Sequence, residues 1–234
     1  MLVGFQNPLN ELGNVRRLLL VTLFLLPCAL GQETYKPSEV TSAGDAYTSY
    51  TVVFDGLFVL DVGIGDDGSI SKIESLRNPG GMLGAIEPVV RTWKFQAALA
   101  GRKARASRMT VAFVYRPGNL QTFGAAPTEG FTPVIPSARA DEAGKGYAPV
   151  GILAFAYPEY PINSVASGSV VLQATVDSEG NVKNVGVLHG MANFNRFAQA
   201  ALKNWRFQAA MLNGKAVTSN IVVAFIFQAP HSSD

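Results

Sequence analysis

Residues 93–98 read Trp-Lys-Phe-Gln-Ala-Ala, and residues 205–210, 112 positions later, read Trp-Arg-Phe-Gln-Ala-Ala. The echo extends along the chain without a gap. At the same offset Gly56 falls on Gly168, Val59-Leu60 on Val171-Leu172, Gly68 on Gly180, Leu76 on Leu188, Lys103-Ala104 on Lys215-Ala216, Ser107 on Ser219, and Val111-Ala112-Phe113 on Val223-Ala224-Phe225. Such self-similarity predicts a tandem duplication, and it divides the 234 residues into two small units of roughly 70 to 80 residues each. Domains of that size bury only about 60% of their unfolded surface, so each is expected to lean on a neighbour or a partner.

Within each unit the apolar residues first recur with period two. Phe58, Leu60, Val62 and Ile64 alternate with Asp61 and Gly63; Val170, Leu172, Ala174 and Val176 alternate with Gln173 and Thr175. Each run predicts a strand with one apolar face. A turn follows in both copies, Gly-Asp-Asp-Gly-Ser and Asp-Ser-Glu-Gly-Asn, with Gly68 and Gly180 where a reversal needs positive φ. Second strands, Ile-Ser-Lys-Ile-Glu-Ser-Leu and Asn-Val-Lys-Asn-Val-Gly-Val-Leu, complete two hairpins.

The period then changes to that of a helix. Phe194, Phe197, Ala198, Ala201, Leu202 and Trp205 form one stripe, and Met82, Ala85, Ile86, Val89, Val90 and Trp93 form its counterpart. Pro88 predicts that the first helix begins near Glu87-Pro88, with proline at its tolerated first position. The two tryptophans read as core packing. A last strand closes each unit: Met109, Val111, Phe113 and Tyr115 share a face in one, Ile221, Val223, Phe225 and Phe227 in the other. Val222, Ala224 and Ile226 make the second of these apolar on its other face too, so it is covered on both sides or ready to pair.

The expected fold class is α+β: two tandem β-β-α-β units, each a three-stranded antiparallel sheet with a helix on one face. The expected divisions are a signal peptide at 1–31, a polar segment at 32–49, the first unit at 50–116, a Gly/Ala/Pro-rich connector at 117–156, the second unit at 157–228 and a tail at 229–234. Phe123, Phe131 and Ile152 are the connector's candidate docking residues.

Arg16-Arg17, the apolar run Leu18 to Leu30 and the small residues Ala29 and Gly31 predict export through a cleaved leader. The run is short for a membrane span and Pro27 interrupts it. Cys28 is the only cysteine, so cleavage leaves no thiol for disulfides, metal binding or catalysis. A net charge of +2 advertises no nucleic-acid partner.

Tyr160-Pro161, the hairpin glycines and valines Gly168, Val170, Val176, Gly180 and Val182, the helix-closing Trp205-Arg206-Phe207 and the turn Asn213-Gly214-Lys215 stand in an order that resembles the TonB C-terminal domain family. The resemblance covers about residues 157–227; residues 50–116 share it mainly through the repeat. It implies a binding module of the periplasm that takes an extended segment of another envelope protein by β-strand addition, without a cofactor. By that analogy the receiving edge is the strand from Thr218 to Phe227, with Thr218, Asn220, Val222, Ala224 and Ile226 as edge residues and Tyr160-Pro161 beside them.

Two other readings stay open. If the N-terminal run is retained, the chain is an inner-membrane-anchored transducer of the TonB type, and only then does it touch the membrane. Alternatively the two units cover each other's edges, as proteins do to avoid aggregation, and the chain is a self-associating structural module. Asp66-Asp67 and Asp177-Glu179 are too few oxygens for calcium, and His189 and His231 join no catalytic constellation, so no enzyme is expected. Arg102, Lys103, Arg105 and Arg108 read as a strand edge guarded by charge.

Overall fold

Two short strands come first, β1 (Tyr35–Lys36) and β2 (Glu39–Ser42), in a segment whose sequence reads only as polar. The repeated pattern then yields β3 (Gly56–Ile64), β4 (Ile70–Arg77), helix α1 (Leu83–Arg91), three short strands β5 (Lys94–Gln96), β6 (Ala98–Ala100) and β7 (Lys103–Arg105), and the long β8 (Ser107–Arg116). After β9 (Tyr147–Ala148) and β10 (Gly151–Ala154) the same order returns as β11 (Gly168–Val176), β12 (Val182–His189), α2 (Asn195–Lys203), β13 (Arg206–Gln208), β14 (Ala210–Leu212), β15 (Lys215–Val217) and β16 (Ser219–Phe227). The structure, a computed structural model, describes residues 34–48, 56–116, 146–161 and 163–229, all within one compact unit, Thr34–Asp234. The leader expected at 1–31, Phe123, Phe131 and His231 lie outside the described residues.

The fold is α+β, mostly sheet with two helices. The expectation of two separate three-stranded sheets is corrected: the long strands form one six-stranded sheet in the order β12-β11-β16-β8-β3-β4. Its pairs are antiparallel except at the centre, where β16 and β8 run parallel from Val222 opposite Val111 to Phe227 opposite Arg116. The physical reason is legible in the strands themselves. Every residue of β16 is buried, as are Val111 through Tyr115, and joining two strands that are apolar on both faces removes two exposed edges at once.

The helices lie on opposite faces of this sheet. Ile86, Val90 and Trp93 pack with Phe58, Leu60, Val111, Phe113 and also Val222, Ala224 and Ile226. Ala198, Leu202 and Trp205 pack with Val170, Leu172, Val223, Phe225 and also Leu57, Val59, Ala112 and Val114. Each half therefore lends its second face to the other half's core. Of Asp61 and Gly63, whose alternation with apolar residues reads as a solvent face, Gly63 is half-buried and Asp61 is buried, 3% exposed and ion-paired with Arg108.

The short strands lock the halves together. β2 pairs with β5, and β1 with β6, of its own half. Yet Val40 N donates to Gln173 Oε1 at 2.7 Å, Ala46 N donates to Ser169 Oγ at 2.7 Å, and Asn220 Nδ2 donates to Ser38 O at 2.9 Å. In the reverse direction Thr110 Oγ1 donates to Val150 O at 2.6 Å. Ile152, assigned from sequence to the connector, is fully buried in β10. The two arms meet at Tyr35 and Tyr147, whose rings lie 5.7 Å apart.

Pro88 sits inside α1 rather than at its start. The carbonyl that its missing N–H leaves free belongs to Gly84, and both residues are exposed, so the break in the hydrogen-bond ladder lies on the solvent side of the helix. The Met82-to-Trp93 stripe then holds the turn against the sheet. Gly68 (φ 82°) and Gly180 (φ 86°) turn the two hairpins, and a β-carbon at either would collide with the carbonyl oxygen of Phe95 or Phe207. The repeated Trp-basic-Phe phrase and the repeated turn glycine are thus one packed contact, present twice.

Candidate partner-binding surface

The strand expected to receive a partner is occupied. Val222, Ala224 and Ile226 lie in the stretch of β16 that pairs with β11 on one side and β8 on the other. Asn220 has its side chain committed, accepting from Thr175 Oγ1 at 2.9 Å and donating to Ser38 O. Thr218 is exposed, but it precedes the strand. This expectation is corrected: a backbone whose donors and acceptors are already paired on both sides cannot take another strand.

Tyr160 and Pro161 line an open surface. The Tyr160 ring rests on Phe194 and Phe227, at centroid distances of 5.5 and 6.4 Å, and its hydroxyl donates to Ala166 O at 2.8 Å. Burial pushes its phenol pKa up. Ser164 N donates to Pro161 O at 3.1 Å, which closes a turn. Between this turn and the start of α2 runs a groove of about 710 Å³, lined by Glu159, Tyr160, Pro161, Asn163, Arg196 and Phe197 among others, so that one carboxylate and one guanidinium share it. The Arg196 guanidinium lies 4.6 Å from the centre of the Phe197 ring, and no side chain caps the first turn of α2. Aromatic and proline surface beside a cation, a carboxylate and amide side chains suits an extended peptide better than a small apolar ligand.

The sequence predicts β12 as the second strand of its hairpin but does not mark it as an open edge. It forms one end of the six-stranded sheet, pairs only with β11 among the described residues, and is exposed or half-buried along its length. Strand order, and with it the identity of the open edges, is not encoded in the alternation of any one strand. Arg196 was missed as well; the signal that could have found it is its position at the start of the helix, just after the Phe194 that meets Tyr160.

Other candidates resolve into structural roles. Asp177 Oδ1 accepts from Glu179 N and Asn181 N at 2.9 and 2.8 Å, and Lys183 Nζ lies 3.0 Å from its other oxygen. The backbone N–H of Asn181 contributes most to holding its pKa down to about 2. Asp67 likewise accepts from Ser69 N at 2.8 Å. Both carboxylates are turn-builders. His189 Nε2 stands 3.9 Å from Asp45. Among the described residues no three His, Cys, Asp or Glu side chains are grouped to hold a metal, and no helix is long and apolar enough to cross a membrane. Arg102, Lys103 and Arg105 are exposed around β7, at the edge of a small sheet.

Comparison with known proteins falls on the half that carries this groove. Residues 154–229 match the family model of the Gram-negative bacterial TonB protein C-terminal. Over 73 residues the chain is 33% identical to Protein TonB of Xanthomonas campestris pv. campestris strain B100, and equally to that of strain ATCC 33913. The alignment takes in 30% of this chain and 33% of each relative, so the chain spans about a third of the length of these curated relatives. Residues 154–229 belong to the TonB C-terminal family.

Proposed function

We propose that this protein is a non-enzymatic binding module of the cell envelope, which holds an extended segment of another envelope protein. The groove between Tyr160-Pro161 and the start of α2 is the observation that carries this reading, because it is an open aromatic surface with polar and charged side chains beside it on the TonB C-terminal domain, and it stays open while β16 is paired. We infer also that the N-terminal half is a diverged copy of the same unit. Its support is the common offset of 112 residues, kept by every long strand, both helices and the short arms. The leader-like N-terminus supports a periplasmic, exported protein; a retained N-terminus gives the anchored, transducer-like alternative.

A second reading is favoured by the parallel seam. Two units that consume each other's edges need no external partner, and the chain is then a self-contained structural module. Site-specific photo-crosslinking separates the two. A photoreactive residue at Asn163 is expected to trap an envelope protein in cells, while one at buried Val222 traps none. If neither position traps a partner in a folded, correctly exported protein, the binding reading fails and the structural module stands.

A further inference from the structure

The sheet ends on two strands of opposite character. β4 carries Lys72, Glu74 and Arg77, with Lys72 and Glu74 ion-paired, a pattern of charge that blunts an edge against further pairing. β12 carries Lys183, drawn back onto Asp177, and then runs Asn184-Val185-Gly186-Val187-Leu188 with neither charge nor proline. Val187 is 43% exposed, and a β-carbon on Gly186 would meet nothing within 4 Å. Among the described residues its outward backbone N–H and C=O groups have no partner strand. Proteins rarely leave such a strand unguarded unless something binds it.

The ends of β12 supply the chemistry. At its start a groove of about 490 Å³ is lined by Lys183, Lys203 and Arg206 beside Trp205, and no carboxylate lines it. At its other end the chain passes through Gly190 and Met191 into Ala192 and Asn193, a wall of the Tyr160 groove. A partner lying along β12 would therefore run from a basic pocket toward the aromatic groove. We propose that β12 accepts an extended segment of a partner protein by strand addition, with an acidic residue of that segment seated against Lys203 and Arg206. This rests on reading the protein as a binding module, and it names the strand and the partner's chemistry. A second copy fits less well, because β12 contains no carboxylate and would leave the cations unmatched.

The test uses acetylated, amidated peptides of alternating valine and threonine, about eight residues long like an ordinary strand. One carries a glutamate pair at its N-terminus and another at its C-terminus; twins carry lysines instead. Amide hydrogen exchange of the full protein is expected to show alternate amides of Val182–His189 becoming protected by a glutamate peptide. Affinity should exceed that of the lysine twin by about tenfold, a preference removed by Lys203→Gln with Arg206→Gln. Val185→Pro and Gly186→Pro delete neighbouring N–H groups, of which one points outward; the variant that keeps its unfolding temperature is expected to lose binding. Undiminished binding by that variant overturns the proposal. Protection confined to Tyr160–Ser164 and Ala192–Phe197 also overturns it, while leaving the binding-module reading intact. So does protection of the outward amides of β12, those that do not pair with β11, before any peptide is added, which means that the protein itself already covers the edge.

Discussion

Trp93 and Trp205 close the helices of the two halves at equivalent places, and both are buried. Trp205 donates its indole N–H to Ala156 O at 3.0 Å; the Trp93 N–H is buried with no acceptor among the described residues. The same contrast runs through other paired positions. Asp177 caps its hairpin turn where the first half has Gly65, and Ala200 continues its helix where the first half has Pro88. Inside the sheet Gln173 and Asn220 make neutral hydrogen bonds to the opposite arm, where Asp61 and Arg108 form an ion pair instead. Apolar burial is thus common to both halves, while the polar detail differs. A buried methyl group needs only volume and water exclusion, whereas a buried polar atom needs one particular partner, so the polar detail can differ between the halves while the fold is the same.

The largest expected effect tests whether the halves are energetically one body. Phe113 stacks on Trp93 at 6.0 Å and Phe225 meets Trp205 edge-on at 5.9 Å. Truncating either to alanine should cost about 3 to 5 kcal/mol. Because each half's core includes strand residues of the other, both variants should shift a single urea transition. Two separable transitions would break the picture of an interlocked core.

Next come the turn glycines. Gly68→Ala and Gly180→Ala force a side chain into positive φ and against a carbonyl oxygen, so each should cost about 1 to 3 kcal/mol, nearly equally. A large inequality in urea denaturation would show that the Trp-basic-Phe contact differs between the halves.

The tryptophans should respond unequally. Replacing either by phenylalanine removes the same volume, but Trp205→Phe also strips Ala156 O of its donor, an added loss of about 1 to 3 kcal/mol. Trp93→Phe removes an unsatisfied N–H and should cost less by that amount. Equal losses would mean that the hydrogen bond contributes nothing net.

The smallest effect concerns acid. Asp177 has its folded pKa depressed to about 2, so the stability it contributes is present above the ordinary carboxylate value near 4 and is lost as pH falls toward 2. Asp177→Asn should flatten that part of the loss in thermal unfolding measured from pH 2 to 6. Gly65, the equivalent position, has nothing to titrate.

Much of this was legible beforehand. The helix stripes are where the 3.6-residue period puts them, with Phe194, Ala198, Leu202 and Trp205 buried, and Ile86, Val90 and Trp93 likewise. The apolar character of both faces of β16 was visible too. The outcome was not: a strand ready to pair and a strand already paired have the same composition, and only the presence of β8 alongside distinguishes them. The start expected for α1 at Pro88 failed because a local rule was outweighed by the stripe on the helix's buried side.

By itself the sequence determined the long strands, the two helices, the residues of their apolar faces and the family of residues 154–229, since all of these depend on patterns within a few turns or pleats of chain; the short strands around them it did not announce. Tertiary structure decided which edges stay open. Closing β16 against β8, crossing the arms between halves and leaving β12 uncovered are contacts between segments that lie up to 182 residues apart, as Ser38 and Asn220 do. Strand alternation has the same period whichever neighbour a strand takes, so the neighbour is chosen by where burial of both faces and satisfaction of every buried polar group are achieved together.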